Sequence, residues 1–171
     1  MLPSVNGETT LRRLDPSDLR AFHAYRSDGE LARFQGWAPM DEDQARRFLS
    51  DMSAASCLMP GQWTQLAVAQ SSTDVLLGDL GLHLSDDART VELGITLSQA
   101  AQGRGHALRA LQSCTTLLRS LDHRLTVRAG TDTRNQPCRR LLLSAGFSLA
   151  GTRFEQYKGE WCEELTYVFH L

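Results

Sequence analysis

The chain has 171 residues, enough for one domain with a sizeable core, and its 42% hydrophobic and 22% charged residues are typical of a globular protein. A net charge of −2 at pH 7 excludes a general polyanion binder, so we expect no nucleic-acid partner and only local recognition of phosphate. No stretch approaches the roughly 20 apolar residues of a membrane span, and the opening MLPSVNGETT lacks the basic start and apolar run of a secretory signal.

The first third of the sequence predicts one strand and three helices. TTLRRL alternates enough for a strand from Thr9 to Leu14. DPSDLRAFHAY then begins a helix, with Asp15 at the N-cap and Pro16 at the first helical position. A short helix from Asp28 to Phe34 follows, and Asp41 begins a third helix, DEDQARRFLSDMSAA.

The remaining sequence predicts strands and two further helices. QWTQLAVAQ, VLLGDLGLHL and RTVELGITL read as three antiparallel strands joined by the polar turns SSTD and SDDA. A helix with apolar residues at every third or fourth position runs from Ala107 to Leu121. RLTVRAG is then a strand, NQPCRRLLLSAGF a helix stopped by Gly146, and the last two segments form a hairpin around Lys158 and Gly159. This order predicts one mixed α/β domain over residues 1–171.

The cysteines and histidines show no spacing typical of a metal site. Cys57, Cys114, Cys138 and Cys162 are scattered without a C-x-x-C pair, and the histidines form neither H-x₃₋₅-H nor H-E-x-x-H. We therefore predict no metal, reduced thiols and a cytoplasmic protein without membrane attachment.

The stretch SQAAQGRGHALRAL places glycines and arginines at the start of a helix. Gly103 and Gly105 permit tight turns, and the first N–H groups of a helix lack internal acceptors. Such a turn suits an anion, most often a phosphate, although a plain loop that caps a helix has the same composition. The P-loop string is absent, and the dinucleotide fingerprint G-x-G-x-x-G fails because Leu108 stands at its third glycine.

The string that does occur is Q-x-x-G-x-A, with Gln102, Gly105 and Ala107, directly after VELGITL. It resembles the acyl-CoA-binding motif of the GNAT superfamily of N-acetyltransferases, and the order of elements agrees over nearly the whole chain. Within the superfamily the sequence most resembles the ribosomal-protein-alanine N-acetyltransferases and their relatives. The segments that carry this resemblance are LRRLDPSDL, RFQGW, VELGITL, QGRGHALRAL, NQPCRRLLLSAGF and EELTYVF.

The resemblance implies a fold and a cosubstrate. The fold would be α/β (α+β), a mixed, mostly antiparallel central sheet flanked by helices, with splayed central strands. Acetyl-CoA would be the acyl donor, its pyrophosphate held by backbone N–H groups of the turn and its acyl oxygen by a main-chain N–H near Ile95 to Leu97. The residues implied in binding it are Ile95, Thr96, Leu97, Gln102, Gly103, Arg104, Gly105, His106, Ala107 and Asn135. Arg104 could equally be solvated, and Asn135 could serve as a helix N-cap.

Two candidate catalytic residues follow from the chemistry of acetyl transfer to an amine. In VELGITL, alternation places Glu92 on the face opposite the apolar residues. Glu92 could there accept the amine proton, or it could pair with an arginine or face solvent. Many superfamily members carry a tyrosine acid where this chain has Leu142. The alanine-acetyltransferase branch has a serine where this chain has Cys138, which is therefore either the acid or a small buried filler.

The acceptor is expected to be a primary amine: a protein N-terminus or a small molecule, such as an aminoglycoside. Candidate acceptor-binding residues are Tyr25, Phe34 and Trp37, together with Gln35, with aromatic packing between helices as the alternative. The terminal strand CEELTYVFHL would allow a homodimer. Competing hypotheses are a non-catalytic acyl-CoA-binding module and a different α/β phosphate binder.

Overall fold

The computed structural model describes residues 1–122, 124–157 and 159–171. The described chain forms eight strands and five α-helices, with short 3-10 turns before α1 and after β5. The strands are β1 (Ser4–Asn6), β2 (Thr9–Arg13), β3 (Trp63–Gln70), β4 (Leu76–Leu84), β5 (Thr90–Leu97), β6 (Thr126–Asp132), β7 (Ser148–Tyr157) and β8 (Glu160–His170). The helices are α1 (Leu19–Arg26), α2 (Gly29–Ala32), α3 (Glu42–Ala54), α4 (His106–Leu121) and α5 (Gln136–Ser144).

The eight strands form one sheet in the order β1-β2-β3-β4-β5-β6-β8-β7. The β5–β6 pair is parallel, and the other neighbouring pairs are antiparallel. A parallel pair needs a crossover connection, which α4 supplies here. This mixed, mostly antiparallel sheet flanked by helices is the predicted fold class.

One face of the sheet is covered by α4 and α5, and we call it the α4 face. Leu80, Leu82, Val91 and Val127 point from the central strands into this layer. From the helices, Ala110, Leu111, Cys114, Leu118 and Leu142 complete the same core. Burial of this continuous apolar layer is the main stabilising contribution to the fold.

The opposite face, which we call the α1 face, is covered only in part. Phe22 and Tyr25 of α1 and Leu49 of α3 pack there against Ala67 of β3, in a second, smaller core. Strand β3 is therefore buried on both sides, whereas β6 alternates between buried and exposed residues along most of its length. The covering layer thus ends near β5 and leaves the α1 face of β5, β6 and β8 open.

The central strands β5 and β6 separate along their length. They pair only over Thr90–Glu92 and Thr126–Arg128. Beyond Glu92 the partner of β5 is β4 alone, and beyond Arg128 the partner of β6 is β8 alone. The carboxyl halves of the two central strands therefore bound a gap, as the predicted splay requires.

The structure confirms the predicted helix starts and corrects several boundaries. Asp15, the predicted N-cap, forms a capping box at the 3-10 turn before α1, and Asp41, where the third helix was predicted to begin, forms one at the start of α3. Helix α2 ends at Ala32 rather than Phe34, α4 begins at His106, and Ser4–Asn6 adds an unpredicted edge strand. Of the predicted hairpin turn, Gly159 has a positive φ of 86° and Lys158 lies outside the described residues.

The terminal strand, on which the homodimer hypothesis rests, is an inner strand of the sheet, and the hypothesis itself stays a prediction. Strand β8 pairs with β6 on one side and with β7 on the other. Its backbone N–H and C=O groups are therefore engaged within the sheet, and β7 is the edge strand at this side. Among the described residues, no helix is long and apolar enough to span a membrane.

Candidate active site

The glycine turn before α4 is a left-handed turn that presents a helix N-terminus. Gly103 and Gly105 have φ values of 73° and 79°, in the region that glycine adopts without steric cost. The first hydrogen bond of the helix runs from Arg109 N–H to Gly105 O, at 3.1 Å. The N–H groups of His106 and Ala107, which precede it, therefore have no acceptor within the helix. This is the geometry that an anion requires.

Arg109 supports the turn from below, a role that sequence reasoning missed. Its Nη1 donates to Arg104 O at 3.0 Å. A Cβ added to Gly105 would lie 3.2 Å from this Nη1. The signal was present in the sequence, because a side chain four residues into a helix points back over the preceding turn. Arg104 itself is exposed on the turn.

His106, a predicted acetyl-CoA-binding residue, has its ring in the protein interior. Nδ1 lies 2.8 Å from the Thr9 hydroxyl, and the residue is only 4% exposed. Burial lowers the pKa of His106 below its ordinary value, and the positive charges of Arg109 and Arg104 lower it further. The ring therefore anchors α4 to β2, and only the main chain of His106 faces the turn.

The gap between β5 and β6 is lined by main-chain N–H groups. Ser98 N–H donates to Leu77 O of β4 at 2.8 Å, immediately after β5. Because amide direction alternates along a strand, Thr96 also directs its N–H to β4, whereas Ile95 and Leu97 direct theirs to the opposite edge. That edge has no β6 partner at this level. The amides are therefore available to an acyl oxygen in the gap.

Most side chains in this part of β5 and of the turn form hydrogen bonds or pack within the protein. Gln102 Nε2 donates to Leu97 O at 3.1 Å, which ties the turn to the end of β5. Leu97 and Ile95 pack against the α4-side core, and Ala107 is half-buried there. Thr96 is buried on the α1 face. Any contact of Ile95, Leu97 and Ala107 with a ligand in the gap or turn would therefore involve the main chain.

Cys138 and Asn135 lie together at the start of α5. Asn135 Oδ1 accepts from Cys138 N–H at 3.2 Å, so Asn135 is the N-cap. Burial raises the pKa of the half-buried Cys138 thiol above its ordinary value, and a side-chain hydrogen bond with Thr131 offsets part of the rise. Leu142, at the position of the usual tyrosine, is 1% exposed in the core. Cys138 is therefore the candidate proton donor at the start of this helix.

Glu92 lines the larger pocket on the open α1 face, as its alternation in the sequence predicted. The pocket has a volume of about 480 Å³, and Glu92 is exposed on its floor beside Arg128 of β6. His83 of β4 is the strand partner of Glu92 of β5, and it also lines the pocket. Asp86 and the neighbouring loop form its rim.

A second pocket, of about 370 Å³, lies between the α2 segment and the carboxyl end of β6. Phe34 forms part of its wall, with the guanidinium of Arg134 5.7 Å from the ring centroid. Arg134 binds both carboxylate oxygens of Asp132, at 2.9 and 2.7 Å, and lowers the pKa of Asp132 below its ordinary value. Phe34 thus lies beside a cavity, and its role in binding the acceptor stays a prediction.

Trp37 lies at the level of the gap, whereas Tyr25 does not reach a cavity. Trp37 Nε1 donates to Thr96 Oγ1 at 3.4 Å, and Arg26 stacks over its ring at 4.5 Å. Tyr25 is 3% exposed, and its hydroxyl donates to Asp79, which also pairs with Arg26 at 2.7 Å. The prediction that Tyr25 binds the acceptor directly is therefore corrected, because its hydroxyl and ring are used in the core.

The described residues include no group of three or more His, Cys, Asp or Glu side chains arranged to hold a metal ion. The groups that the structure does show are main-chain donors at the turn and along the gap, the half-buried Cys138 thiol at the start of α5, and carboxylates on the open face.

The comparisons with known proteins show the family and the fold. The sequence model of the family described as an acetyltransferase (GNAT) domain matches residues 8–148. The comparison with curated proteins gives no match.

Three solved structures resemble the chain closely in fold. A Bacillus anthracis acetyltransferase of the GNAT family has a TM-score of 0.85 at 20% identity, covering 99% of this chain and 98% of its own. RimL, a ribosomal L7/L12 α-N-protein acetyltransferase in complex with coenzyme A, has a TM-score of 0.83 at 16% identity, covering 99% and 97%.

The third is a Salmonella typhimurium acetyltransferase that modifies the N-terminal serine of ribosomal protein L7/L12. It has a TM-score of 0.82 at 16% identity, covering 99% of this chain and 98% of its own. At these identities the likeness shows the fold, and the roles of individual residues have to be argued from this chain.

Proposed function

The chain belongs to the acetyltransferase (GNAT) domain family, and from this premise we propose that it transfers an acetyl group from acetyl-CoA to a primary amine, with both substrates bound at once. The observation that carries the proposal is the pair of main-chain N–H groups, at Ile95 and Leu97, directed into the gap between β5 and β6. Acetyl-CoA supplies a thioester that an amine can attack. The residues of this chain bind, orient and handle protons.

The donors of the turn fit the pyrophosphate of acetyl-CoA. The main-chain N–H groups from Gly103 to Ala107 surround a helix N-terminus with a partial positive charge, whereas the Gln102 N–H already donates to Gln99 O at 3.2 Å. Arg104, which is exposed on the turn, and Arg109, whose guanidinium donates to Arg104 O, each add a full positive charge there. The lack of a Cβ at the two glycines allows a phosphate to approach the backbone closely.

The gap fits the acyl end of the same molecule. Amides directed at the position where negative charge develops on the acyl oxygen lower the barrier without reorganisation, because the sheet already holds them in place. In our proposal Ile95, Thr96 and Leu97 provide this segment, and Asn135 fixes the start of α5 on the other side of the gap.

Cys138 and Glu92 are the proposed proton-handling groups. The raised pKa keeps Cys138 protonated at neutral pH, so its thiol can donate a proton to the leaving thiolate. Glu92, exposed in the pocket on the α1 face, receives the proton lost by the amine, directly or through water. Holding both substrates in the gap supplies much of the remaining rate enhancement.

The proposed acceptor enters from the α1 face, past Phe34 and Trp37. The fold neighbours that modify the N-terminus of ribosomal protein L7/L12 favour a protein N-terminus as acceptor. A small-molecule amine, such as an aminoglycoside, is the second candidate, favoured by the carboxylates that line both pockets.

A transfer assay tests the proposal. The wild-type chain is incubated with acetyl-CoA and either a serine-initiated hexapeptide or the triamine spermidine, and the product is read by mass spectrometry and by thiol release. We expect mono-acetylation at a primary amine, and no reaction with the same peptide whose N-terminus is already acetylated. Binding of acetyl-CoA without product from either amine would contradict the proposal and favour the non-catalytic acyl-CoA-binding module.

A further inference from the structure

A buried carboxylate at the junction of the two pockets has no role in the proposal so far. Glu164 of β8 is 4% exposed, yet it lines both the 480 Å³ and the 370 Å³ pocket, as does Gly130 of β6. Both residues lie on the open α1 face, because their neighbours Leu165 and Ala129 point into the α4-side core. Glu164 therefore lies where the two pockets meet.

Gly130 creates the space that this carboxylate occupies. A Cβ on residue 130 would lie 2.6 Å from Glu164 Oε1 and 3.0 Å from Oε2, closer than side chains tolerate. The φ angle of Gly130 is not in the left-handed region, so backbone conformation does not require glycine at this position. The absence of a side chain there leaves room for the Glu164 carboxylate above β6.

Arg153 of β7 fixes the orientation of the carboxylate. Its Nε and Nη2 contact the same oxygen of Glu164, Oε1, at 2.9 and 2.8 Å. Both contacts reach the same oxygen, and a carboxylate has about four acceptor sites in all. A carboxylate held in this way can accept a hydrogen bond from a second cation.

The strand register places Glu164 level with the acyl end of the gap. Glu164 pairs with Asp132 across β6 and β8, and Asp132 lies four residues beyond Arg128, where β5 and β6 last pair. Thr96, whose hydroxyl accepts from Trp37, lies four residues beyond Glu92 on β5. Four residues of strand are about 13 Å. Along the strand direction, Glu164 is therefore closer than Glu92 to the level of the Ile95–Leu97 amides.

From this juxtaposition we propose that Glu164 binds the ammonium group of the acceptor and places its nitrogen at the gap. This deepens, and rests on, the proposed acetyl transfer. Oε2 accepts a charge-assisted hydrogen bond from the ammonium group, and the proton that the amine loses passes through water to Glu92, which lines the same larger pocket. The residue is thus a binding group for the amine and has no part in binding acetyl-CoA.

The test measures the kinetic constants of Glu164→Gln with acetyl-CoA and the hexapeptide or spermidine. We expect kcat/KM for the amine to fall at least about tenfold, mainly through KM, while KM for acetyl-CoA stays within about twofold. Glu163→Gln is the matched control, because Glu163 is the exposed neighbour on the other side of β8 and lines neither pocket. It should behave as wild type.

A second variant separates binding from a purely structural ion pair. Arg153→Gln removes the partner and keeps the carboxylate, so the amine KM should change less than in Glu164→Gln. Equal changes in the two variants, or an unchanged amine KM in Glu164→Gln, would overturn this inference while leaving acetyl transfer intact. No turnover by the wild-type chain with either amine would contradict the proposed function itself, and with it this inference.

Discussion

At the scale of single residues, the protonation state of Cys138 governs the proposed departure of the thiolate. The thiol is half-buried beside Thr131, and burial raises its pKa above the ordinary value. A group with a raised pKa keeps its proton to higher pH, so the donor form is present at neutral pH and is lost as pH rises through the raised value.

This gives a prediction for substitutions of Cys138. Cys138→Ser should keep activity, because a hydroxyl also donates a proton, and should lose the alkaline decline of kcat, since a hydroxyl does not titrate there. Cys138→Ala should lower kcat by about 10² or more, the usual contribution of a general acid. The measurement is kcat against pH for the three proteins. Equal kcat values for the serine and alanine variants would exclude the acid role.

Among single residues, the roles that depend on nearby sequence were predictable, and those that depend on distant contacts were not. The N-cap roles of Asp15, Asp41 and Asn135 were readable, because capping depends on residues within one turn. The burial of Tyr25 could not be predicted from the sequence, since its hydroxyl donates to Asp79, which lies 54 residues away. Glu164 and Gly130 were missed for the same reason: their contact crosses from β6 to β8.

At the scale of elements, the end of β5 is held against β4 by a glycine. A Cβ on Gly78 of β4 would lie 2.1 Å from Thr96 O and 2.7 Å from the Leu97 Cα. No flexible side chain can move aside there, because both atoms belong to the backbone. The close approach therefore fixes the strand whose amides face the gap.

Substitution of this glycine should disturb the strand end. Gly78→Ala must displace β5 and should lower the free energy of unfolding by roughly 1–3 kcal/mol, the range for overpacking. Gly94→Ala is the matched control on β5: no atom lies within 4 Å of its added Cβ, and its φ needs no glycine. Urea unfolding of both variants measures this difference. Equal stabilities would show that β4 and β5 adjust without cost.

The element order was predictable from the sequence, but some boundaries were not. Strong periodicity located β3, β4, β5 and α4. Strand β1 was not predicted, because Ser4–Asn6 is too short to show an alternating pattern. Its pairing with β2 identifies it as a strand. Helix α4 begins one residue earlier than the apolar spacing indicated, because the His106 ring points inward to Thr9.

At the scale of the whole molecule, the two faces of the sheet differ: one is covered by the main core, and the other is partly open. The α4 face carries the core and ends at the glycine turn, and the α1 face is covered only over its first half. The gap between β5 and β6 joins the two sides. A donor bound from the turn and an acceptor bound on the open face would therefore meet at the Ile95–Leu97 amides.

The central claim is that the turn and gap bind acetyl-CoA, and the melting temperature of the purified chain with acetyl-CoA, CoA or NADH tests it most directly. A ligand at about 100 times its Kd adds about 2.7 kcal/mol to the stability of the native state, which raises the melting temperature of a chain of this size by roughly 5–10 °C. We predict this rise with acetyl-CoA and with CoA, and none with NADH. No rise with either form of CoA at millimolar concentration would contradict the account and leave the glycine turn as a helix cap.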